Sequence, residues 1–366
     1  MIKLTDSKLQ ATLLPKLPTK GQFGFSLIEL MISMVLGSIL MGGALSVFLN
    51  SKQTFLFSEE MTSMQENSRF AMEFITRDVR MAGYYGCGSN SVVNTLKPGP
   101  AADAWVYNFG QGLVGYDGDD AAFPVAFEDA SLPNTTGLLS DAFTVLRGED
   151  GGNSFTVQSH NTNSAVIDLG ENHGYSAGAI LALSDCDHST VFQMTGNNPN
   201  KLGHNTGNSV SPGNCTKKMG LPDDCANNSA YEYKGDASVL RVVSHAYYIN
   251  MANNNVPSFY RNEIIAGLTA DENIEELAQG VENMQVRYGI DTDLTPDGIA
   301  NRYVDADDVA DWKKVISVRI HLLMRSINEV TSEPVEFRFL DQNHTPSDRF
   351  LRREFMSNIS IRNRGA

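Results

Sequence analysis

The feature that most constrains this chain is an apolar segment from Gly24 to Leu49, interrupted only by glycine, serine and one acid, Glu29. About 20 apolar residues in a helix, at 1.5 Å rise each, cross the ~30 Å hydrocarbon core of a bilayer. The segment is therefore predicted to span a membrane. Glu29 is the anomaly, because an ionised side chain within a membrane helix costs about 2.5–3.5 kcal/mol and is usually paired.

The residues before the apolar segment form a basic leader. They carry four lysines and a single acid: Lys3, Lys8, Lys16, Lys20 and Asp6. Positive charge of this kind stays on the cytoplasmic side of a membrane. A secretory signal has its cleavage site after the apolar core, whereas the Gly24-Phe25 junction precedes it. Cleavage there would keep the helix and create an α-amino group on Phe25, a natural counter-ion for Glu29 of a neighbouring copy or related subunit.

The segment Gly24-Phe25-Ser26-Leu27-Ile28-Glu29-Leu30 resembles the class III signal of type IV pilins and pseudopilins. The resemblance implies that a membrane aspartic protease, the prepilin peptidase, cuts after Gly24. It also implies that Phe25 is then N-methylated and that Glu29 sets the register of subunits during assembly. A plain signal anchor with a chance acid is the alternative, and the rarity of uncompensated acids in membranes disfavours it.

The apolar segment is predicted to continue as an amphipathic helix that ends at Gly83, a residue suited to a helix C-cap. Apolar residues recur there at roughly helical spacing: Phe55, Met61, Met64, Phe70, Phe74 and Ile75. The chain is accordingly divided into a leader at 1–24, a long helix at 25–83 with its membrane segment at 25–49, and a globular domain at 84–366.

From Tyr84 onward the pattern changes to short alternating strands between polar loops. The clearest strand places Ile316, Val318, Ile320, Leu322 and Met324 on one face, with Ser317, Arg319, His321 and Arg325 on the other. Weaker candidates are 335–339, 355–361, 240–248, 284–288, 143–145, 179–183 and 191–194, and the runs Thr195–Ser211 and Asn250–Val256 are predicted loops. The predicted fold class is α+β, pilin-like, with the long helix packed on a mainly antiparallel sheet domain.

Several blocks of this domain resemble, in their order, the PilW-type minor pilin. They are 80–84 with Gly86-Cys87, 184–186, 280–283 with 288–291, 318–320 with Leu322 and 325–326, and 352–353 with 361–364. The resemblance covers most of the chain. The segment 201–233 matches no block and is treated as an insertion.

The four cysteines of an exported chain predict two disulfides, for which three connectivities exist. We favour Cys87 with Cys186 and Cys215 with Cys225. The first bond would tie the helix exit to the sheet and close a loop of about 100 residues, which stabilises by ~4.7 kcal/mol in the chain-entropy model. Zinc is disfavoured because there is no C-x-x-C pair.

Asp291, Asp293 and Asp297 form a weak candidate for a calcium site, because hard cations prefer several carboxylate oxygens on a tight turn. The EF-hand register fails, since the third acid comes two residues late and Arg302 stands where a bidentate glutamate is required. A solvated acidic turn is favoured instead. No metal or other cofactor is therefore expected.

An enzyme is not expected either. Gly174-Tyr175-Ser176-Ala177-Gly178 matches the G-x-S-x-G pattern, whose serine lies on a strand-to-helix elbow in hydrolases. The residues 179–183 that follow are typical of a strand, so Ser176 is predicted to be a turn residue. A membrane-anchored hydrolase that uses Ser176 is kept as an alternative from another class.

The net charge is −15, and removal of the leader's four lysines and one aspartate would change it by −3, to −18. Binding to nucleic acid is disfavoured, because phosphate attraction requires a basic surface. The resemblance implies a minor pilin, anchored by one helix in the bacterial inner membrane with its domain in the periplasm, and later part of a pilus on the cell surface.

In such a pilus the chain is expected to help initiate the fibre and to lie at or near its tip, with roles in adhesion and motility. The implied partners are the prepilin peptidase, other minor pilins, the major pilin, the assembly platform and a tip adhesin. The first alternative is the J-type pseudopilin of type II secretion, which shares the signal and the long helix but is expected to have a shorter globular domain.

Overall fold

The computed structural model describes residues 24–87, 92–98, 105–120, 123–149, 155–207, 209–264, 273–293, 295, 297–362 and 364. The leader and its lysines therefore lie outside the described residues. The chain divides into two compact units, Met1–Phe55 and Leu56–Ala366. Helix α1, Leu27–Arg80, begins in the first unit and ends in the second.

The described part of the first unit, Gly24–Phe55, is exposed at every position. α1 is long and apolar enough to cross a membrane, and its most apolar 18-residue window has a mean hydropathy of 2.1 with no residue buried. A helix that is apolar and exposed on all sides is typical of a membrane segment rather than of a soluble surface helix. The boundaries predicted for the membrane segment, 25–49, stay a prediction.

The second unit combines the end of α1 with eighteen described strands. They are β1 (Val92–Asn94), β2 (Leu113–Tyr116), β3 (Ala142–Glu149), β4 (Phe155–Thr156), β5 (Ser159–Asn161), β6 (Val166–Asp168), β7 (Ile180–Ser184), β8 (Ser189–Gln193), β9 (Lys201–Gly203), β10 (Ser238–Met251), β11 (Pro257–Ile264), β12 (Ile274–Gln279), β13 (Val281–Ile290), β14 (Arg302–Val304), β15 (Val315–Glu329), β16 (Phe337–Phe339), β17 (Gln342–His344) and β18 (Phe350–Ser360). Two 3-10 turns lie at Val125–Phe127 and Trp312–Lys314.

The strands form two main sheets. A nine-stranded sheet has the order β1-β8-β7-β10-β11-β12, with β3 and β4 also paired to β10 and β2 paired to β3. A four-stranded sheet has the order β14-β13-β15-β18, and two small sheets contain β5-β6-β9 and β16-β17. The described pairs are antiparallel except β1 with β8. The predicted α+β architecture with a mainly antiparallel sheet is confirmed.

The predicted strands correspond to β3, β7, β8, β10, β13, β15, β16 and β18. The alternation that predicted β15 is confirmed, since Val318, Ile320, Leu322 and Met324 are all fully buried. The loop prediction for Thr195–Ser211 is wrong at β9, which lies within this range. β9 pairs with β6 and buries Leu202 in an apolar cluster. Such three-residue strands depend on a distant partner, so alternation within the strand alone does not reveal them.

One stripe of α1 is buried against both main sheets. Its residues are Glu60, Met64, Ser68, Ala71, Ile75, Asp78 and Val79. The apolar members join a core with side chains from β3, β10, β13, β15 and β18. Removing this apolar area from water stabilises the unit by ~25 cal/mol per Å².

The buried stripe differs in detail from the predicted one. Phe55 and Phe70 were expected on the apolar face but are 66% and 47% exposed. Glu60 and Asp78 are acids, which an amphipathic helix normally exposes on its polar face, but both are buried. The reason is geometric, because Glu60 lies four residues before Met64 and Asp78 lies three after Ile75, which places both acids on the inner stripe.

α1 ends at Arg80, and residues 81–83 form a turn rather than the last part of the helix. Gly83 has a φ of +71°, and its N–H donates to the carbonyl of Leu146 on β3 at 2.9 Å. A Cβ on Gly112 would lie 2.5 Å from the Cα of Gly83, so the two backbones can approach only because neither residue has a side chain. This contact fixes the chain where it leaves the helix.

The disulfides have the pairing that the sequence favours, Cys87 with Cys186 and Cys215 with Cys225. The first bond joins residues 99 apart in the sequence, from the segment after α1 to the connection between β7 and β8. The second lies within 201–233. Cross-links that close long loops restrict the unfolded chain most, so the first is expected to stabilise the unit more than the second.

The segment 201–233 is held to the small sheet by two buried histidines. The Nε2 atoms of His160 and His204 lie 3.0 Å apart. His160 Nδ1 accepts a hydrogen bond from the Tyr233 N–H at 3.2 Å, so His160 carries its proton on Nε2 and donates it to His204. Burial, and then the neighbouring His160, lower the pKa of His204 to about 3. The contact therefore requires two neutral rings.

We expect this contact to make the protein sensitive to acid. A histidine whose folded pKa lies below its usual 6.5 contributes stability that is complete above pH ~6.5 and is lost as the pH falls toward 3. Within that window this one group should remove about 1.4 kcal/mol per pH unit from the free energy of unfolding. His204→Gln keeps a hydrogen-bonding amide near the Nε2 position and does not titrate.

Urea unfolding of the full chain in detergent at pH 7, 5 and 4 would measure this effect. The free energy of unfolding should fall less steeply with acid in His204→Gln than in the wild type, whereas His344→Gln, on the small β16-β17 sheet, should keep the wild-type slope. Equal slopes for all three proteins would contradict the assignment to His204.

Candidate functional site

The first turn of α1 is closed by Ser26 and Glu29. The Glu29 carboxylate accepts hydrogen bonds from the Ser26 N–H at 3.0 Å and from the Ser26 hydroxyl at 3.1 Å. The Glu29 N–H in turn donates to the Ser26 hydroxyl oxygen at 3.3 Å. This reciprocal arrangement is a capping box, which satisfies N–H groups that a helix otherwise leaves unpaired. The S-x-x-E spacing was visible in the sequence, where Glu29 was assigned only an intersubunit role.

The cap gives Glu29 a partner within its own chain but uses only part of the carboxylate. Both bonds from Ser26 go to Oε2, and Oε1 makes no hydrogen bond with the described residues. The adjoining Gly24-Phe25 junction, where cleavage is predicted, is open, because Phe25 is 86% exposed and a Cβ on Gly24 would have nothing within 4 Å. The segment thus exposes both this junction and a carboxylate oxygen.

Farther along α1, polar side chains of the buried stripe tie the helix to the sheets. Glu60 accepts hydrogen bonds from the Ile327 N–H at 2.9 Å and the Asn328 amide at 2.7 Å, both on β15. The Asn67 amide donates to the carbonyl of Gln279 on β12 at 3.2 Å. These bonds fix the rotation of the helix in addition to its apolar contact.

The strongest anchor is Asp78, near the end of the helix. Its carboxylate accepts from the Arg147 guanidinium at 3.0 and 3.2 Å, from the Tyr247 hydroxyl at 2.6 Å and from His245 Nδ1. Burial acts to raise the pKa of Asp78, but His245, Arg147 and Tyr247 hold it well below its usual range. Burial likewise acts to lower the pKa of His245, and the bond to Asp78 raises it. The carboxylate therefore stays ionised inside the unit.

A second buried ion-pair network joins β13, β15 and β18. Glu282 accepts two bonds from the Arg352 Nε at 3.0 and 3.1 Å, and Arg325 lies 3.9 Å from it. The remaining Arg352 nitrogens donate to both oxygens of Asp348 at 2.6 and 2.7 Å. Arg325 and Arg352, which belong to the blocks of the predicted resemblance, thus hold the four-stranded sheet together.

The C-terminal residues return to the end of α1. The Arg362 N–H donates to the Arg80 carbonyl at 3.1 Å. The guanidinium of Arg364 donates to the carbonyls of Val315, at 3.1 Å, and Trp312. Burial lowers the pKa of Arg364 to about 10. The last described residues therefore reinforce the helix end from the side of the four-stranded sheet.

The weak calcium candidate is a compact acidic turn. One carboxylate oxygen each from Asp291, Asp293 and Asp297 lies within 4.8 Å of the others. Asp291 accepts from the N–H groups of Asp293, Asp297 and Gly298 at 3.0, 2.9 and 3.0 Å, and the Asn301 amide donates to Asp293. These bonds shape the turn without an ion, and the favoured interpretation as a solvated acidic turn stays a prediction.

Ser176 lies in an exposed turn that leads into β7. The Ala179 N–H donates to the Ser176 carbonyl at 3.1 Å, and the nearby His173 ring is bonded to the Asn198 carbonyl and the Tyr175 N–H. A strand rather than a helix follows the serine, so the geometry lacks the nucleophile elbow of a hydrolase.

Two family models match the chain. The prokaryotic N-terminal methylation motif matches residues 19–45, and the type IV pilus-assembly protein W family matches residues 246–363. Among solved structures, a type IV-like pilin from Thermus thermophilus is 16% identical with a TM-score of 0.22, over 34% of this chain and 70% of that one. No curated protein matches. The family matches confirm the predicted resemblance to type IV pilins of the PilW type.

We expect Asp78→Asn to destabilise the second unit strongly, because it removes the charge that compensates buried Arg147 and His245. Breaking a buried ion pair from one side costs about 3–5 kcal/mol. Asp341→Asn is the matched control, since Asp341 pairs with Arg338 at an exposed site where such a pair contributes ~1 kcal/mol or less. Thermal unfolding of the full chain should show a much larger loss for Asp78→Asn. Similar losses for both variants would contradict the anchoring role.

Proposed function

We propose that this chain is a minor pilin of a type IV pilus. In this proposal the prepilin peptidase cuts after Gly24, Phe25 is N-methylated, and the apolar part of α1 holds the protein in the inner membrane with the domain at 84–366 in the periplasm. The observation that carries the proposal is the methylation motif at 19–45, which coincides with an accessible Gly24 and an exposed apolar helix.

The geometry at Glu29 suggests how the chain enters a fibre. The cap uses Oε2, so Oε1 is available to the α-amino group of Phe25 on a neighbouring pilin. An ionised carboxylate is costly in hydrocarbon, and a salt bridge to that amine lowers the cost. In the isolated chain, Glu29 is bonded only to Ser26, so the additional salt bridge to a neighbour's amine favours assembly.

A role in initiation at or near the fibre tip, together with other minor pilins, the major pilin and the assembly platform, is the finer part of the proposal. The match of residues 246–363 to the pilus-assembly protein W family supports the pilus over the J-type pseudopilin of secretion. The position of Ser176 in an exposed turn before β7, with no helix after it, supports a structural protein over an anchored hydrolase. Adhesion and motility would follow from the pilus rather than from a site in this chain.

We expect Glu29→Gln to reduce incorporation into pili. Glutamine preserves the capping box but has no charge, so the variant separates the helix cap from the pairing between subunits. Processing at Gly24 and the unfolding temperature of the domain should stay near wild type. The matched control is Glu59→Gln, which removes the charge of an exposed acid later on the same helix.

Sheared pili from cells that produce each variant would be probed for this subunit, and surface pili would be counted. If the Glu29→Gln protein is as abundant in pili as the wild type, the charge of Glu29 does not recruit the chain. Reduced incorporation of Glu59→Gln to the same extent would show a general effect of charge.

A further inference from the structure

A group of arginines lines a groove on the outer side of α1 within the second unit. Arg69, Arg77 and Arg80 follow one another along the exposed helix surface, and Arg362 joins them through the hydrogen bond of its N–H to the Arg80 carbonyl. The groove has a volume of about 610 Å³. Met72 and Met81, each partly buried, supply its apolar part.

The four guanidinium groups lack partners among the described residues. None of them makes an ion pair or a side-chain hydrogen bond there, in contrast to buried Arg147 and Arg352. Among the described residues, Glu73 is the one acid that lines the groove, and it forms no ion pair with the arginines. The groove is therefore positively charged, although the chain as a whole has a net charge of −15.

The helix dipole accounts for only part of this cluster. Arg77 and Arg80 lie in the last turn of α1, where positive charge stabilises the helix end. Arg69 lies about two turns before that and Arg362 is outside the helix. Like charges that line the same groove repel each other, so an external anion would stabilise the cluster.

We propose that this groove binds an acidic segment of a neighbouring pilin subunit. The proposal rests on the proposed function, because it places the groove's occupant within the same fibre. Arginine presents a planar fork that donates two parallel hydrogen bonds to one carboxylate, so four of them can hold several aspartates or glutamates. The flexible thioethers of Met72 and Met81 pack against the aliphatic parts of such side chains.

Other anions fit the groove less well. Nucleic acid is disfavoured by the acidic remainder of the chain, which repels a long polyanion. A protein segment rich in carboxylates can both fit in the groove and balance the positive charge of its four arginines.

The test places a photo-cross-linking amino acid at Thr76, which lines the groove. The full chain is produced in cells that assemble pili, and the cross-linked peptide is identified by mass spectrometry. The expected partner peptide is rich in aspartate or glutamate and belongs to another pilin. A cross-link to phospholipid, to a peptide of this chain or to a segment without acidic residues would overturn the proposal, as would the absence of any cross-link.

A pair of charge-reversal variants then tests the chemistry. Arg77→Glu with Arg80→Glu should reduce the cross-link by about tenfold or more, because it replaces two charge-assisted contacts by repulsion. The control combines Arg302→Glu with Lys218→Glu, which makes the same change in net charge at exposed positions outside the groove. An equal cross-link in all three proteins, or an equal loss in the control, would overturn the role of the arginines.

N-terminal processing and the content of sheared pili are measured for the same proteins. If wild-type protein is absent from pili while the acidic cross-link forms and depends on Arg77 and Arg80, the proposed function fails, and the groove still binds an acidic protein segment outside a fibre. If wild-type protein is present in pili while the cross-link is missing or does not depend on the arginines, the groove fails and the proposed function stands.

Discussion

The burial of one stripe of α1 is the interaction on which the second unit depends. That stripe brings Met64, Ala71, Ile75 and Val79 into the core between the two main sheets, and the gain from removing apolar area from water is not directional. The rotation of the helix is fixed instead by the polar contacts of Glu60, Asn67 and Asp78 with the sheets. Asp78 in particular satisfies a buried arginine, histidine and tyrosine at once, so a rotation of the helix would leave several charged or polar groups unpaired inside the unit.

The same helix carries different surfaces for different surroundings. Its first part is apolar and exposed, its inner stripe is buried, and its outer surface in the second unit carries Arg69, Arg77 and Arg80. In the proposed function each surface has a partner: lipid and then other helices for the first part, the sheets for the inner stripe, and a neighbouring subunit for the arginines. The C-terminal residues support this arrangement, because Arg362 and Arg364 bond to the end of the helix and to the four-stranded sheet.

The sequence predicts those parts of the molecule that are encoded locally. The signal around Gly24 and Phe25 is a short contiguous motif, the first part of the long helix follows from a run of mainly apolar residues, and β15 follows from the alternation between Ile316 and Leu322. The burial of Glu60 and Asp78 could not be predicted in the same way, because acids are normally exposed and their partners lie about 70 to 270 residues away in the chain. Short strands such as β9 depend on distant pairing as well, whereas the cap of Ser26 by Glu29 could have been found from its S-x-x-E spacing.

The central claim is that the chain is processed at Gly24 and works as a pilin through the exposed apolar helix that this cut preserves. The most direct measurement is N-terminal mass spectrometry of the protein recovered from sheared pili. The account predicts a chain that begins at Phe25 with a methylated α-amino group. A chain in pili that begins at Met1, or one that begins after Leu49 and so lacks the apolar helix, would contradict it.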